Sequence, residues 1–268
     1  MTIRLLDHRI VGSGTKTTIV LHGLLGTKRN LGRLASDLKR SMQDHSFVLA
    51  DLTGHGDSPP LPPHPTLSSM AEDVIGLAEA LDATWPISVI GHSLGGRVAL
   101  SALARHPNRI DKVAMLDIGP GPIPSSLAGE AVMSHLREAP ANFPSRRNAS
   151  DFFISRGLPK PLANWMALNL ITRAGQVEWR VDRQAIATLH ANQRGEDLWG
   201  AAEEFGETGR IACIRGGASD YVSDEDASRL RSLGIRIETI PGAGHFLHID
   251  SPQALCRILS GGSETPFI

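Results

Sequence analysis

The 268 residues include only two cysteines, Cys213 and Cys256, too few for the disulfide framework of a small secreted domain. Cys213 stands in an apolar run with Ile211, Ala212 and Ile214, and Cys256 in an amphipathic helical pattern. Both therefore read as buried thiols rather than nucleophiles. Charge of one sign is missing too. With 27 Lys+Arg against 28 Asp+Glu and a net charge of −1, neither nucleic acid nor an anionic membrane surface is an expected partner. No apolar run approaches the roughly 20 residues that span a bilayer. The opening residues, Met1-Thr2-Ile3-Arg4, do not begin a basic segment followed by an apolar stretch and a cleavage site. The expectation is a cytoplasmic, reducing setting. Aromatic residues make up only 4%, so the core must rest on Leu, Ile, Val and Ala.

What is present suits a globular protein, with 41% hydrophobic and 21% charged residues. Short β-type runs alternate with helical patterns, which predicts a mostly parallel central sheet flanked by helices. Strands are expected at residues 17–21, 47–52, 87–90, 110–116, 210–215 and 235–240. Helices are expected at 31–42, 68–81, 94–104, 224–233 and 251–259. Between Gly119 and about Asn192 the alternation fails. Prolines at 120, 122 and 124 open that stretch, and helical patterns follow at 127–136, 149–155, 162–170 and 184–189. This predicts a helical lid, 119–195, inserted into a core of 1–118 and 196–268. The Gly261-Gly262-Ser263 tail is expected to be mobile, and no internal repeat is seen.

The strongest chemical signal is Gly91-His92-Ser93-Leu94-Gly95, directly after a strand and before a helix. A G-x-S-x-G turn puts its serine in a strained bend, with glycines where side chains would collide. Ser93 is thus the candidate nucleophile. A serine hydroxyl needs a base within reach. His245, on a glycine-rich loop after the last strand, is favoured over His248, which leads into the closing helix. Backbone amides should receive the oxyanion. Leu94 N–H follows the nucleophile, and Leu24 N–H comes from the turn His22-Gly23-Leu24-Leu25-Gly26, which His22 is expected to order. Asp51, His55 and Asp57 read as a structural turn and not a metal site. Arg97 reads as structural, and Arg146-Arg147 as solvated.

The segments HGLLGTKRNLGRLASDL (22–38), DLTGHGDSP (51–59), GHSLGGRVAL (91–100), RIDKVAMLDIGP (109–120), VEWRVDRQAI (177–186), RGGASDYVS (215–223) and GAGHFLHIDSP (242–252) together resemble the YbfF-type esterases of the α/β-hydrolase superfamily. The resemblance implies an α/β-hydrolase fold and a Ser-His-Asp triad, with no metal or organic cofactor. It implies small acyl esters, or acyl thioesters, as substrates. It also bears on the acid. Most members of the superfamily carry an aspartate in the turn after the strand that follows the lid. Here that turn, Gly216-Gly217-Ala218-Ser219, holds serine instead, with Asp220 one residue late. In the resembled family the acid follows the preceding strand, which makes Asp117 the implied acid and Asp220 the alternative. Carbon–carbon hydrolysis, perhydrolysis and a ligand-binding receptor with little turnover stay open. Oligomeric state is not legible.

Overall fold

A computed structural model describes residues 5–124, 129–173, 175–261 and 266–268. Leu127 and Ala128 of an expected lid helix, and Gly262 and Ser263 of the expected mobile tail, lie outside these. The N-terminal half opens with a strand outside the predicted set, β1 (His8–Val11), and then alternates as its pattern predicts: β2 (Lys16–Leu21), α1 (Gly32–Ser41), β3 (His45–Ala50), α2 (Leu67–Ala80), β4 (Ile87–His92), α3 (Leu94–Arg105) and β5 (Ile110–Leu116). The inserted stretch holds α4 (Gly129–Glu138), β6 (Asn142–Phe143), α5 (Arg146–Ser155), α6 (Lys160–Ala167), β7 (Leu170–Arg173), β8 (Gln176–Trp179) and α7 (Arg183–Gly195). The alternation then resumes with α8 (Trp199–Phe205), β9 (Ile211–Gly216), α9 (Asp224–Ser232), β10 (Arg236–Ile240), α10 (Leu247–Asp250) and α11 (Pro252–Ser260).

Among the described residues the main sheet has seven strands, in the order β1-β3-β2-β4-β5-β9-β10. All neighbours are parallel except β1, which pairs antiparallel with β3 at the edge. The inner strands are buried on both faces, as continuous runs such as Ile19-Val20-Leu21 require. One face packs on α2 and α3 through Val74, Val98 and Leu100, and the other on α1 and α11 through Leu34, Leu38 and Leu255.

The order of strands places the chemistry. From β2 the chain moves outward to β3, then returns to lay β4 on the other side of β2, with Leu21 opposite Gly91. Such a reversal opens a crevice at the carboxyl ends of the two strands. Those ends lead into His22 and Ser93. β5 follows beside β4, with Leu116 opposite His92, so Asp117 emerges one strand further along.

Two expectations need correction. The insert is not purely helical: β6, β8 and β7 form a second, three-stranded antiparallel sheet. The pattern read as a helix to Leu170 stops at Ala167, and Leu170 opens β7. Strands of four residues or fewer carry too little alternation to stand out, although Ile171-Thr172 and the pair Val177/Trp179 around Gly175 (φ +80°) were the available signal. β1 and α8 also went unrecognised. The insert has a core of its own, in which Phe143, Phe153, Met166 and Leu170 pack with Leu25 of the main body.

Buried Arg97 joins the insert to α3. Its guanidinium donates to the carbonyls of Gly121, where the insert begins, and Glu196, where it ends. Burial lowers its pKa to about 10, which leaves it charged at neutral pH. The expected structural role is the one its contacts show.

Candidate active site

Ser93 sits at φ +52° between β4 and α3, a conformation that costs an L-residue energy and holds only where neighbours enforce it. Its N–H donates to Leu116 O at 2.9 Å, and Gly96 N–H donates back to its carbonyl at 2.9 Å. The flanking glycines are obligatory. A Cβ on Gly91 would lie 2.1 Å from Gly95 O, and one on Gly95 would lie 2.6 Å from Leu21 O. The Ser93 side chain does not cap α3, so its hydroxyl is left for other work.

Across the crevice, His22 orders the adjoining turn. Its Nε2 accepts from Leu52 N–H at 2.9 Å, so the proton is on Nδ1, which donates to Gly23 O at 2.7 Å. Burial holds this imidazole neutral, lowering its pKa to about 4. Gly26 N–H also donates to Gly23 O, and Leu25 adopts φ +58°. The Leu25 carbonyl accepts from the side chain of Asn169, a buried residue of the insert, at 2.8 Å. Leu24 and Leu94 both line the cleft. Among the described residues, neither amide N–H donates to a backbone carbonyl.

Asp117 is fully buried at φ +51°. Its Oδ1 accepts from Gly216 N–H at 2.8 Å, and its Oδ2 accepts from Ser219 Oγ and from His245 Nδ1, the latter at 2.7 Å. Ser219, standing where a triad aspartate usually stands in this fold, is thus a hydrogen-bond donor to the carboxylate on the neighbouring strand. Asp220 is exposed, and no bond joins it to His245 among the described residues. His248 is buried in α10, held neutral by burial with its pKa lowered to about 4, and its Nδ1 has no hydrogen-bond partner among the described residues.

With Nδ1–H given to Asp117, the Nε2 lone pair of His245 is the free one. His245 and Ser93 line the same cleft. Among the described residues no hydrogen bond joins Ser93 Oγ to the imidazole, a contact that commonly tightens only when substrate binds. Around His245, His92 donates from Nε2 to its carbonyl at 2.8 Å, and Tyr221 stacks on its ring with centroids 3.8 Å apart. Sequence reasoning gave Tyr221 no role. Its only signal was being the chain's single tyrosine, within one of the quoted segments.

Asp7, Asp51 and Asp57 each bring a carboxylate oxygen within 4.8 Å of the others, a grouping that could hold a cation. Lys28 already sits among them. Its ammonium lies 2.6 Å from Asp51 and 3.6 Å from Asp57, and also pairs with Asp7. Burial alone would raise the Asp51 pKa, but the hydrogen bonds from Lys28 and from the Asp57 N–H together outweigh it and hold the carboxyl below its ordinary value. His55 instead faces Thr53 O at 3.1 Å, and Arg180 of the insert pairs with Asp57 at 2.7 Å. The ion group therefore ties the insert to the turn after β3. Arg146 lies exposed with its guanidinium on Leu170 O, and Arg147 is exposed. Burial pushes the Cys213 thiol up to about 12, in keeping with an inert sulfur.

The cleft over Ser93 measures about 1100 Å³, counting the part open to solvent, and Leu24, Leu25, Val132, Met133, Leu162 and Trp165 form its apolar walls. Comparison with known families matches residues 19–258 to the alpha/beta hydrolase family. The chain belongs to this family. A mouse (Mus musculus) sn-1-specific diacylglycerol lipase, ABHD11, is 28% identical over 94% of this chain and 81% of its own length. Esterase YbfF of Escherichia coli K12 is 27% identical over 90% of each chain. Among solved structures, a marine microorganism esterase superposes with a TM-score of 0.80 at 24% identity, over 94% of this chain and 97% of its own. That likeness shows the fold: an α/β-hydrolase sheet with its helices.

Proposed function

We propose that this α/β hydrolase is a serine carboxylesterase that cleaves small acyl esters, and acyl thioesters by the same chemistry, through an acyl-enzyme. Ser93 attacks the carbonyl carbon as Nε2 of His245 takes its proton. Asp117 holds the imidazole in the tautomer that leaves Nε2 basic, and steadies the imidazolium once formed. The amides of Leu24 and Leu94 receive the developing oxyanion. His245 then returns the proton to the leaving oxygen or sulfur, and water repeats the attack on the acyl-enzyme. The observation that carries the reading is the buried Asp117 carboxylate 2.7 Å from His245 Nδ1, at the carboxyl end of the strand beside the Ser93 turn.

Residues 119–195 serve as the lid over a core of 1–118 and 196–268. In support, the insert supplies one wall of the cleft and is held at both ends by Arg97. Names of the relatives, an esterase and a diacylglycerol lipase, agree with ester chemistry, and the apolar walls suit a hydrocarbon acyl chain. A fluorophosphonate probe tests the reading. Stoichiometric labelling that is lost in Ser93→Ala, with hydrolysis of p-nitrophenyl butyrate lost in parallel, is the expected outcome. Folded wild-type protein that takes no label and turns over no ester or thioester in a chain-length panel would refute it and favour a binding role.

A further inference from the structure

The hydrogen bond from His245 Nδ1 to Asp117 fixes one point of the imidazole but leaves the ring free to turn about that bond. A single hydrogen bond acts as a hinge, and the terminal torsion of histidine is broad. What lies against the faces of the ring must set its plane. Two neighbours are tilted, the His92 ring 4.7 Å away at 46° and the Phe246 ring 5.4 Å away at 67°, and neither can hold a plane flat. The third is Tyr221, at 3.8 Å and within 19° of parallel. Tyr221 is itself held. It is half-buried in the cleft wall, and its hydroxyl accepts from the N–H of Gly129. Gly129 belongs to α4 of the insert.

Resting on the hydrolase reading above, we infer that Tyr221 is a positioning residue: its ring sets the plane of the His245 imidazole, and its hydroxyl ties that plane to Gly129 of the insert. The stack does the positioning, and the Gly129 bond keeps the phenol in place. A shift of about 1 Å in a reacting group can cost about 10²-fold in rate. Loss of the stacked face should therefore lower kcat while leaving KM nearly alone, because Tyr221 aims the base and does not hold the acyl chain.

The test compares Tyr221→Phe with Tyr221→Leu in the full chain, on p-nitrophenyl butyrate. Phe keeps the ring and should retain kcat within about 3-fold, whereas Leu should lose about 10²-fold in kcat with little change in KM. The downfield proton resonance of the Nδ1–H between His245 and Asp117 gives a second readout. It should stay sharp in the Phe variant and broaden in the Leu variant as the ring turns. Should the Leu variant fail to fold, Tyr221→Met removes the flat face while filling the space, and is read in the same way. A folded Leu or Met variant with wild-type kcat overturns the inference, as does a Phe variant impaired as deeply as Leu. A wild type that neither labels at Ser93 nor hydrolyses any ester would overturn the hydrolase reading and this inference together. An active wild type with an unimpaired Leu variant overturns the inference alone.

Discussion

Acidification from pH 7 to pH 5 should strip this fold of a large part of its stability, through buried histidines other than His245. His22, His55 and His248 are buried, and burial lowers their pKa values from 6.5 to about 4, about 3 and about 4. The unfolded chain takes up these protons as pH falls through 6.5, while the native protein refuses them until far lower. The stability contributed by keeping them neutral is thus complete above pH 6.5 and is lost progressively below it. At pH 5 each costs about 2 kcal/mol, against about 0.2 kcal/mol at pH 7, so the three together remove about 5 kcal/mol. A domain holds about 5–15 kcal/mol in all. Because pH 5 lies above all three native values, the unfolded-state pKa dominates the result. Buried His92, also pushed well below its ordinary value by burial, adds in the same direction. The carboxylates of Asp44, Asp51 and Glu72, lowered from ordinary values of 3.8, 3.8 and 4.5, act only at lower pH. Urea unfolding at pH 7, 6 and 5 reads the effect as a falling midpoint at constant slope. His248→Gln should remove about 1.2 kcal/mol per pH unit from that dependence between pH 5 and 6. A midpoint unchanged between pH 7 and 5, or a dependence untouched in His248→Gln, would show that these imidazoles are not the neutral buried groups described.

Other perturbations separate the roles within the site. Asp117→Asn should lower kcat on a model ester about 10⁴-fold, and Asp220→Asn should leave it within about 2-fold. Full turnover in Asp117→Asn would remove that residue from the triad. Ser219→Ala deletes one of three donors to the Asp117 carboxylate, and a fall of about 10-fold in kcat with unchanged melting temperature is expected. Lys28→Met leaves the Asp51 carboxylate buried without its cation, and should cost about 3–5 kcal/mol by urea unfolding. Gly95→Ala would drive a methyl to 2.6 Å from Leu21 O, so either folding yield or Ser93 labelling should collapse.

Much of the fold was legible because its signals are local. Alternating strands and helices follow from side-chain periodicity, and the Ser93 turn follows from two glycines whose missing side chains leave room for a sharp bend. His22 was legible as an ordering residue for a related reason, since its partner Gly23 is next to it in sequence. The small sheet of β6, β7 and β8 was not, because strands of two to four residues hold only by pairing and carry almost no pattern of their own.

By itself, the order of residues determined that a serine would be presented between a strand and a helix, and that a histidine would follow the last strand on a glycine-rich loop. Which carboxylate meets that histidine was decided only by tertiary structure. Asp117 and His245 are 128 positions apart, and nothing in either neighbourhood encodes the distance between them. Strand order sets it, because β5 lies between β4 and β9 and delivers Asp117 to a place where Gly216, Ser219 and His245 can all donate to one buried carboxylate. The same holds for the Tyr221 stack and the Asn169 bond to Leu25. A long-range contact is a property of how the sheet is assembled, and assembly is the sum of burial over the whole chain.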